Sequence, residues 1–346
     1  MFDLSRRAAL GGALTAAGMM AAPLAARTLG GAAGRRRVII DTDTATDDAL
    51  ALLLAVKAPS ISIEAITIVV GNVEFDQEAR NALYTLEAAG VSGRYPVYKG
   101  MPRPLVRGDK HVTATWVHGS DGMSDANFPM PRQKAEAEDA VSAIIRLVRR
   151  YPGEITIVAI GALTNVAMAI LRDPELPKLI GEVVFMGGFR NFYGNITPAA
   201  TYNIWVDPEA AKVVFESGVR LTTVGFDVSV QASVMTDADY DRVAAMNTPL
   251  GAFMMRVNSV RRAYCKAHQK MNGSNHPDAI TMAYVIDPGI IVEKVERACQ
   301  IETQGELTRG AMLIDELGVW KRPPNVTICT RGDEARFKAM VFSALA

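Results

Sequence analysis

Four carboxylates fall within eight residues of the segment Val38-Ile39-Ile40-Asp41-Thr42-Asp43-Thr44-Ala45-Thr46-Asp47-Asp48-Ala49. Asp47 and Asp48 stand where a helix would begin, and the helix dipole favours carboxylates there. That account leaves out Asp41 and Asp43, which follow an apolar strand and would repel their neighbours unless a cation sat among them. Clustered hard oxygen donors, with no nearby Cys and no His pair, suit Ca²⁺ or Mg²⁺ rather than zinc. The loop is not an EF-hand, because it lacks the central Gly and the distal Glu. Magnesium-dependent phosphate transfer would call for a Gly-rich cradle with Lys, and none accompanies it.

Such a loop needs a strand before it and a helix after it, and the rest of the chain repeats that alternation. Val38–Asp41, Ile61–Gly71, Pro96–Gly100, Ile155–Gly161, Val183–Gly187 and Leu221–Asp227 read as strands. An amphipathic helix is predicted over Asp47–Lys57, and further helices over Asp76–Gly90, Ala140–Tyr151, from Asn165, and over Pro208–Ser217. The pattern predicts an α/β fold: an open, mainly parallel, doubly wound sheet flanked by helices. Ligands of such sheets bind at the carboxyl ends of the strands, where the acidic loop falls. The irregular stretches Met101–Arg132 and Gln269–Pro277 read as active-site loops of a single domain over 36–346.

Composition narrows the partners. Lys+Arg and Asp+Glu both number 37, so no global field recruits nucleic acid or an acidic membrane. A small neutral substrate fits better. Cys265, Cys299 and Cys329 are far apart and form no C-x-x-C pair, which argues against zinc or redox work. Ser5-Arg6-Arg7 precedes an apolar, Ala/Gly-rich run from Ala8 to Ala26 that is too short for a membrane span. Residues 1–35 therefore read as a twin-arginine export signal and flexible segment, placing the protein in the periplasm or outside the cell.

With these residues in view, the chain resembles the inosine–uridine-preferring nucleoside hydrolases, whose D-x-D-x-x-x-D-D signature is matched by Asp41, Asp43, Asp47 and Asp48. The resemblance continues in order through Gly71-Asn72, His118-Gly119, Gly161-Ala162-Leu163-Thr164-Asn165 and Met186-Gly187-Gly188. Gly194-Asn195-Ile196-Thr197-Pro198, Tyr202-Asn203, Val206-Asp207-Pro208-Glu209, Asp278, Ile286-Asp287-Pro288 and Glu302-Thr303-Gln304-Gly305-Glu306 complete it.

The resemblance implies an N-glycosidase that hydrolyses ribonucleosides, assembled as a homodimer or homotetramer. It implies that Ca²⁺ is bound by Asp43, Asp48 and Asp278 through their carboxylates and by Thr164 through its carbonyl. Asp43 would also deprotonate the attacking water. Asp47, Asn72, Asn203 and Asp278 would hold the ribose hydroxyls, with Asn195 near the 5′ end and Asp41 orienting the loop. A carboxylate-rich pocket suits this chemistry, because cleavage builds oxocarbenium-like charge on the sugar.

Two positions depart from the family pattern. Pro277 stands where many members have a His before the ligand Asp, and His276 is one place early. That leaves His118 as the better candidate to protonate the base, or as a histidine tying down its loop. Thr201 stands where a Glu usually contacts the ribose 5′-hydroxyl, so the substrate could be another N-ribosyl compound with a modified 5′ end. A non-catalytic, exported riboside-binding protein is the further alternative, disfavoured by the presence of Asp43. Trp116, Phe189, Phe192, Tyr193 and Tyr264 offer stacking surfaces or ordinary packing. Arg256–Arg262 reads as a solvated helix face, or as a patch that steers an anion.

Overall fold

Side-chain alternation along the first strand divides its apolar residues between two cores. Val38 and Ile40 belong to one cluster of buried side chains and Ile39 to another. The computed structural model describes residues 34–108 and 112–346, so the export-signal reading of 1–35 lies almost wholly outside the described residues.

Among the described residues nine strands form one sheet: β1 (Arg36–Thr42), β2 (Ile61–Ile68), β3 (Val97–Lys99), β4 (Ile155–Ala159), β5 (Glu182–Met186), β6 (Leu221–Val224), β7 (Ile291–Ile301), β8 (Met312–Asp315) and β9 (Val326–Gly332). Their order is β3-β2-β1-β4-β5-β6-β9-β7-β8. Pairing is parallel from β3 through β9, and β7 joins antiparallel to β9 and to β8. The chain builds outward from β1 to β3, then returns to place β4 against β1. That reversal leaves a crevice beyond the carboxyl ends of β1 and β4.

The expected α/β fold, its strands and most of its helices agree with this arrangement. Three readings differ. Helix Thr46–Lys57 is buried from Thr46 to Ala55, so it has no solvent face along most of its length. It packs between the sheet and helices Phe75–Ala88 and Pro277–Ile286, which demands apolar residues all round. The strand expected over Leu221–Asp227 ends at Val224, because Gly225 caps helix Phe226–Ala232. Strands β7 to β9 had no counterpart in the sequence reading; β7 is exposed over much of its length, whereas β9 is largely buried. Among the described residues no helix is long and apolar enough to cross a membrane.

Candidate active site

Loops from several strand ends deliver polar side chains to one cleft. Asp47 comes from the first turn of helix Thr46–Lys57 that follows β1, Asn72 from the loop after β2, His118 from the segment after β3, and Asn195 and Asn203 from the segment after β5. Helix Pro277–Ile286 adds Asp278 from its first turn. Asp43, Asp48 and Thr164 lie deeper, with no exposed surface.

The acidic loop is held open by its neighbours. Asp48 accepts from Thr42 Oγ1 at 2.6 Å, from Ala45 N at 3.0 Å and from Asn72 Nδ2 at 3.4 Å. Asn72 Nδ2 also donates to the Asp43 carbonyl at 3.1 Å. Asp41 accepts from Thr67 Oγ1 at 2.6 Å and Asn165 Nδ2 at 2.7 Å, so it braces the loop from behind, as expected. Asp43 differs from all of these: both of its carboxylate oxygens are buried without a hydrogen-bond partner. A Cβ on Gly71 would overlap its Oδ2, and one on Gly161 would lie 2.9 Å from its Oδ1. Two glycines thus clear the space that carboxylate occupies.

Electrostatics raise the cost of leaving the cluster without a counter-charge. Burial, reinforced by the charges of Asp48 and Glu78, drives the Asp43 pKa well above the ordinary carboxylate value. Burial and then Asp47 push Asp48 up to about 7. Burial with Asp47, Asp48 and Asp43 raises Asp278 as well. A divalent cation would reverse each of these shifts. Oxygens of Asp47, Asp48 and Asp278 lie within 4.8 Å of one another, a hard-oxygen set that suits Ca²⁺ or Mg²⁺. Asp43, whose two oxygens have no partner, is not one of these three. In the ligand set expected from sequence, Asp47 was absent. The Thr164 hydroxyl is not free for the site, since it donates to Asp207 at 2.8 Å.

These features sit on a chain whose relatives are known. Residues 38–339 match the family described as inosine-uridine preferring nucleoside hydrolase. The chain belongs to that family. The inosine-uridine preferring nucleoside hydrolase of Leishmania major is 37% identical over 316 residues, covering 90% of this chain and 97% of that protein. The pyrimidine-specific ribonucleoside hydrolase RihA of Enterobacter sp. (strain 638) is 34% identical over 310 residues, covering 89% and 97%. Among solved structures, the plant nucleoside hydrolase PpNRh1 superposes with a TM-score of 0.85 at 31% identity, covering 90% of this chain and 99% of that one. This nucleoside hydrolase therefore cleaves the N-glycosidic bond of ribonucleosides with water.

Within the nucleoside hydrolase cleft, His118 Nδ1 lies 2.6 Å from Thr46 Oγ1 and 3.7 Å from Asp47 Oδ1. Burial lowers its pKa to about 4, so the ring is neutral near pH 7. His276 does not line the cleft; its Nε2 lies 3.1 Å from the Tyr240 hydroxyl. Thr201 is fully buried away from the cleft lining, with its hydroxyl accepting from Gly188 N at 2.9 Å. Thr201, read from the sequence as standing at the 5′-contact position, has no exposed surface here. Trp116 and Tyr264 line the cleft; Phe189, Phe192 and Tyr193 do not.

Sequence reasoning missed Arg261. It is buried rather than solvated, and its Nη2 lies 3.1 Å from Asp47 Oδ2. Although burial opposes ionisation of Asp47, Arg261 and then His118 hold its pKa below the ordinary value. The signal was present in the spacing: Val257, Arg261 and Cys265 recur every four residues, and all three are buried. Glu78 was missed for a similar reason. It lies one turn before Ala82 on a buried stripe and accepts from Val73 N at 3.1 Å, bracing the Gly71-Asn72 turn.

Proposed function

We propose that this nucleoside hydrolase works with one Ca²⁺ held by Asp43, Asp48, Asp278 and the Thr164 carbonyl, and that Asp43 takes the proton of the attacking water. The observation that carries this reading is the Asp43 carboxylate, buried with both oxygens unpartnered in a space kept clear by Gly71 and Gly161. When bound, the cation would lower the pKa of water and fix the sugar diol.

The chain's own residues do the rest. Asp47, Asn72, Asn203 and Asp278 hold the ribose hydroxyls, and their carboxylates stabilise the positive charge that develops on the ring. Asn203 is oriented for this by Nδ2, which donates to the Ile160 carbonyl at 2.8 Å. Asn195, whose Oδ1 accepts from Tyr202 N at 2.8 Å, borders the 5′ end. Neutral His118, with Nδ1 bonded to Thr46 Oγ1, presents Nε2 for a hydrogen bond with the base in the tautomer where Thr46 is the donor. The protein is exported and forms a homodimer or homotetramer in the same reading. A second reading, an N-ribosyl substrate with a modified 5′ end, draws support from Thr201, which supplies no charge to that end.

The test is a substrate panel with and without Ca²⁺, together with elemental analysis of dialysed protein. Turnover of a ribonucleoside should depend on Ca²⁺, with one ion per chain. Asp43→Asn should lower kcat by a factor of roughly 10²–10⁴ or more. Stoichiometric zinc, or near-normal turnover by the Asn variant, would overturn the assignment.

A further inference from the structure

Arg261 is a cation inside the cleft that the chemistry described so far does not use. Its side chain is 6% exposed and lines the cleft beside His118, Tyr264 and Asp278. Nε and Nη2 donate to the Asn275 carbonyl at 3.1 and 3.0 Å, and Nη2 also lies 3.1 Å from Asp47 Oδ2. These bonds fix the plane of the guanidinium. Nη1 has no protein acceptor, and it is not among the sealed, unsatisfied polar atoms of the described residues, so it keeps an open hydrogen-bonding direction.

We propose that Arg261 is a further catalytic residue, whose Nη1 donates to the departing base and stabilises the negative charge that reaches it as the glycosidic bond breaks. The inference rests on the reading above that ribose sits on the cleft carboxylates. Asp47 belongs both to that carboxylate group and to the Arg261 ion pair. A base attached to C1′ therefore lies about one sugar ring from Asp47, within reach of the guanidinium.

The step balances without a strong acid. The C1′–N bond breaks, and its electron pair passes to the base nitrogen. The water oxygen forms a new bond to C1′, and its proton goes to Asp43. The base anion, held by Nη1, then takes a proton from solvent, and Asp43 returns its proton to solvent. Arginine does not deprotonate in proteins, so it contributes a fixed charge rather than a proton. A preorganised donor in a buried cleft is suited to that task. Neutral His118 carries no charge to offset that of the departing base, and His276 lies off the lining, so Arg261 is the cation the cleft offers there.

The experiment compares Arg261→Met and Arg261→Lys on inosine, on uridine and on p-nitrophenyl β-D-ribofuranoside. Nitrophenolate leaves as a stable anion and needs no help. Loss of the Asp47 ion pair slows the Met variant on all three substrates, but its kcat on both nucleosides should fall about 10²–10³ further than on the nitrophenyl riboside, the loss typical of removing one preorganised donor. The Lys variant should recover part of the nucleoside loss. Equal losses on all three substrates, or no loss on the nucleosides, would overturn the proposal. Turnover of the nitrophenyl substrate reports a folded site in the same preparation. Should the Met variant fail to fold, the Lys variant decides by the same ratio. Failure of the underlying ribose placement would appear separately, as an Asp47→Ala variant that cleaves all three substrates normally.

Discussion

Asn165 Nδ2 donates to Asp41 Oδ1 at 2.7 Å, joining the helix after β4 to the end of β1 across the point where the sheet reverses direction. The same amide donates to the Ile68 carbonyl at 3.0 Å, and its Oδ1 accepts from Met101 N at 2.8 Å. One buried side chain therefore ties together the ends of three adjacent strands. Asn165→Ala should cost roughly 1–3 kcal/mol for each buried group it leaves unpaired. Urea unfolding measures this directly; a loss under about 0.5 kcal/mol, the range of a surface change, would show that the tie is not structural.

The space around Asp43 can be closed by one methyl group. Gly71→Ala places a Cβ on the Asp43 carboxylate, and Gly71 is not among the glycines with positive φ, so the backbone itself carries no strain. The variant should fold, bind the cation weakly, and lose about 10² in kcat, as a displacement of about 1 Å at a reacting group can. Calorimetric titration with Ca²⁺ and turnover of the best riboside check it. Wild-type affinity and rate together would mean that the carboxylate is not needed where it now lies.

Recognition of the 5′ end should be weak. Thr201 spends its hydroxyl on Gly188 N, and Gly188 has φ +73°, a turn that needs both glycine and a nearby acceptor. 5′-Deoxyinosine should be cleaved within about tenfold of inosine in kcat/KM, tenfold being 1.4 kcal/mol. Thr201→Val should cost about 1–3 kcal/mol in stability and leave that ratio alone. A wild-type preference for inosine on the order of a thousandfold, or about 4 kcal/mol, would mean that another residue reads the 5′-hydroxyl.

We propose that export depends on Arg6 and Arg7. Changing both to Lys should leave most of the protein in the cytoplasm, measured by fractionation and immunoblotting. An unchanged distribution would show that this segment is not a twin-arginine signal.

The alternation of β-branched runs with helical periods was enough to determine the parallel α/β sheet, because each period reports one locally buried face. The acidic loop was equally legible: Asp41, Asp43, Asp47 and Asp48 are adjacent in the chain, and clustered carboxylates imply a cation by charge alone. What the chain order could not determine was the partner of each group. Arg261 reads as one more arginine of a basic helix until packing sets it 3.1 Å from Asp47, 214 positions away, and against the Asn275 carbonyl. Thr201 reads as a shortened contact to the sugar until the Gly188 turn claims its hydroxyl. Strands β7 and β8 escaped notice because antiparallel strands partly exposed to water lack the continuous apolar run that marks a buried strand, and in β9, largely buried between β6 and β7, that run is broken by Thr327, Thr330 and Arg331. Local pattern reports burial and charge; long-range hydrogen bonds and ion pairs exist only once the sheet has brought its loops to one edge.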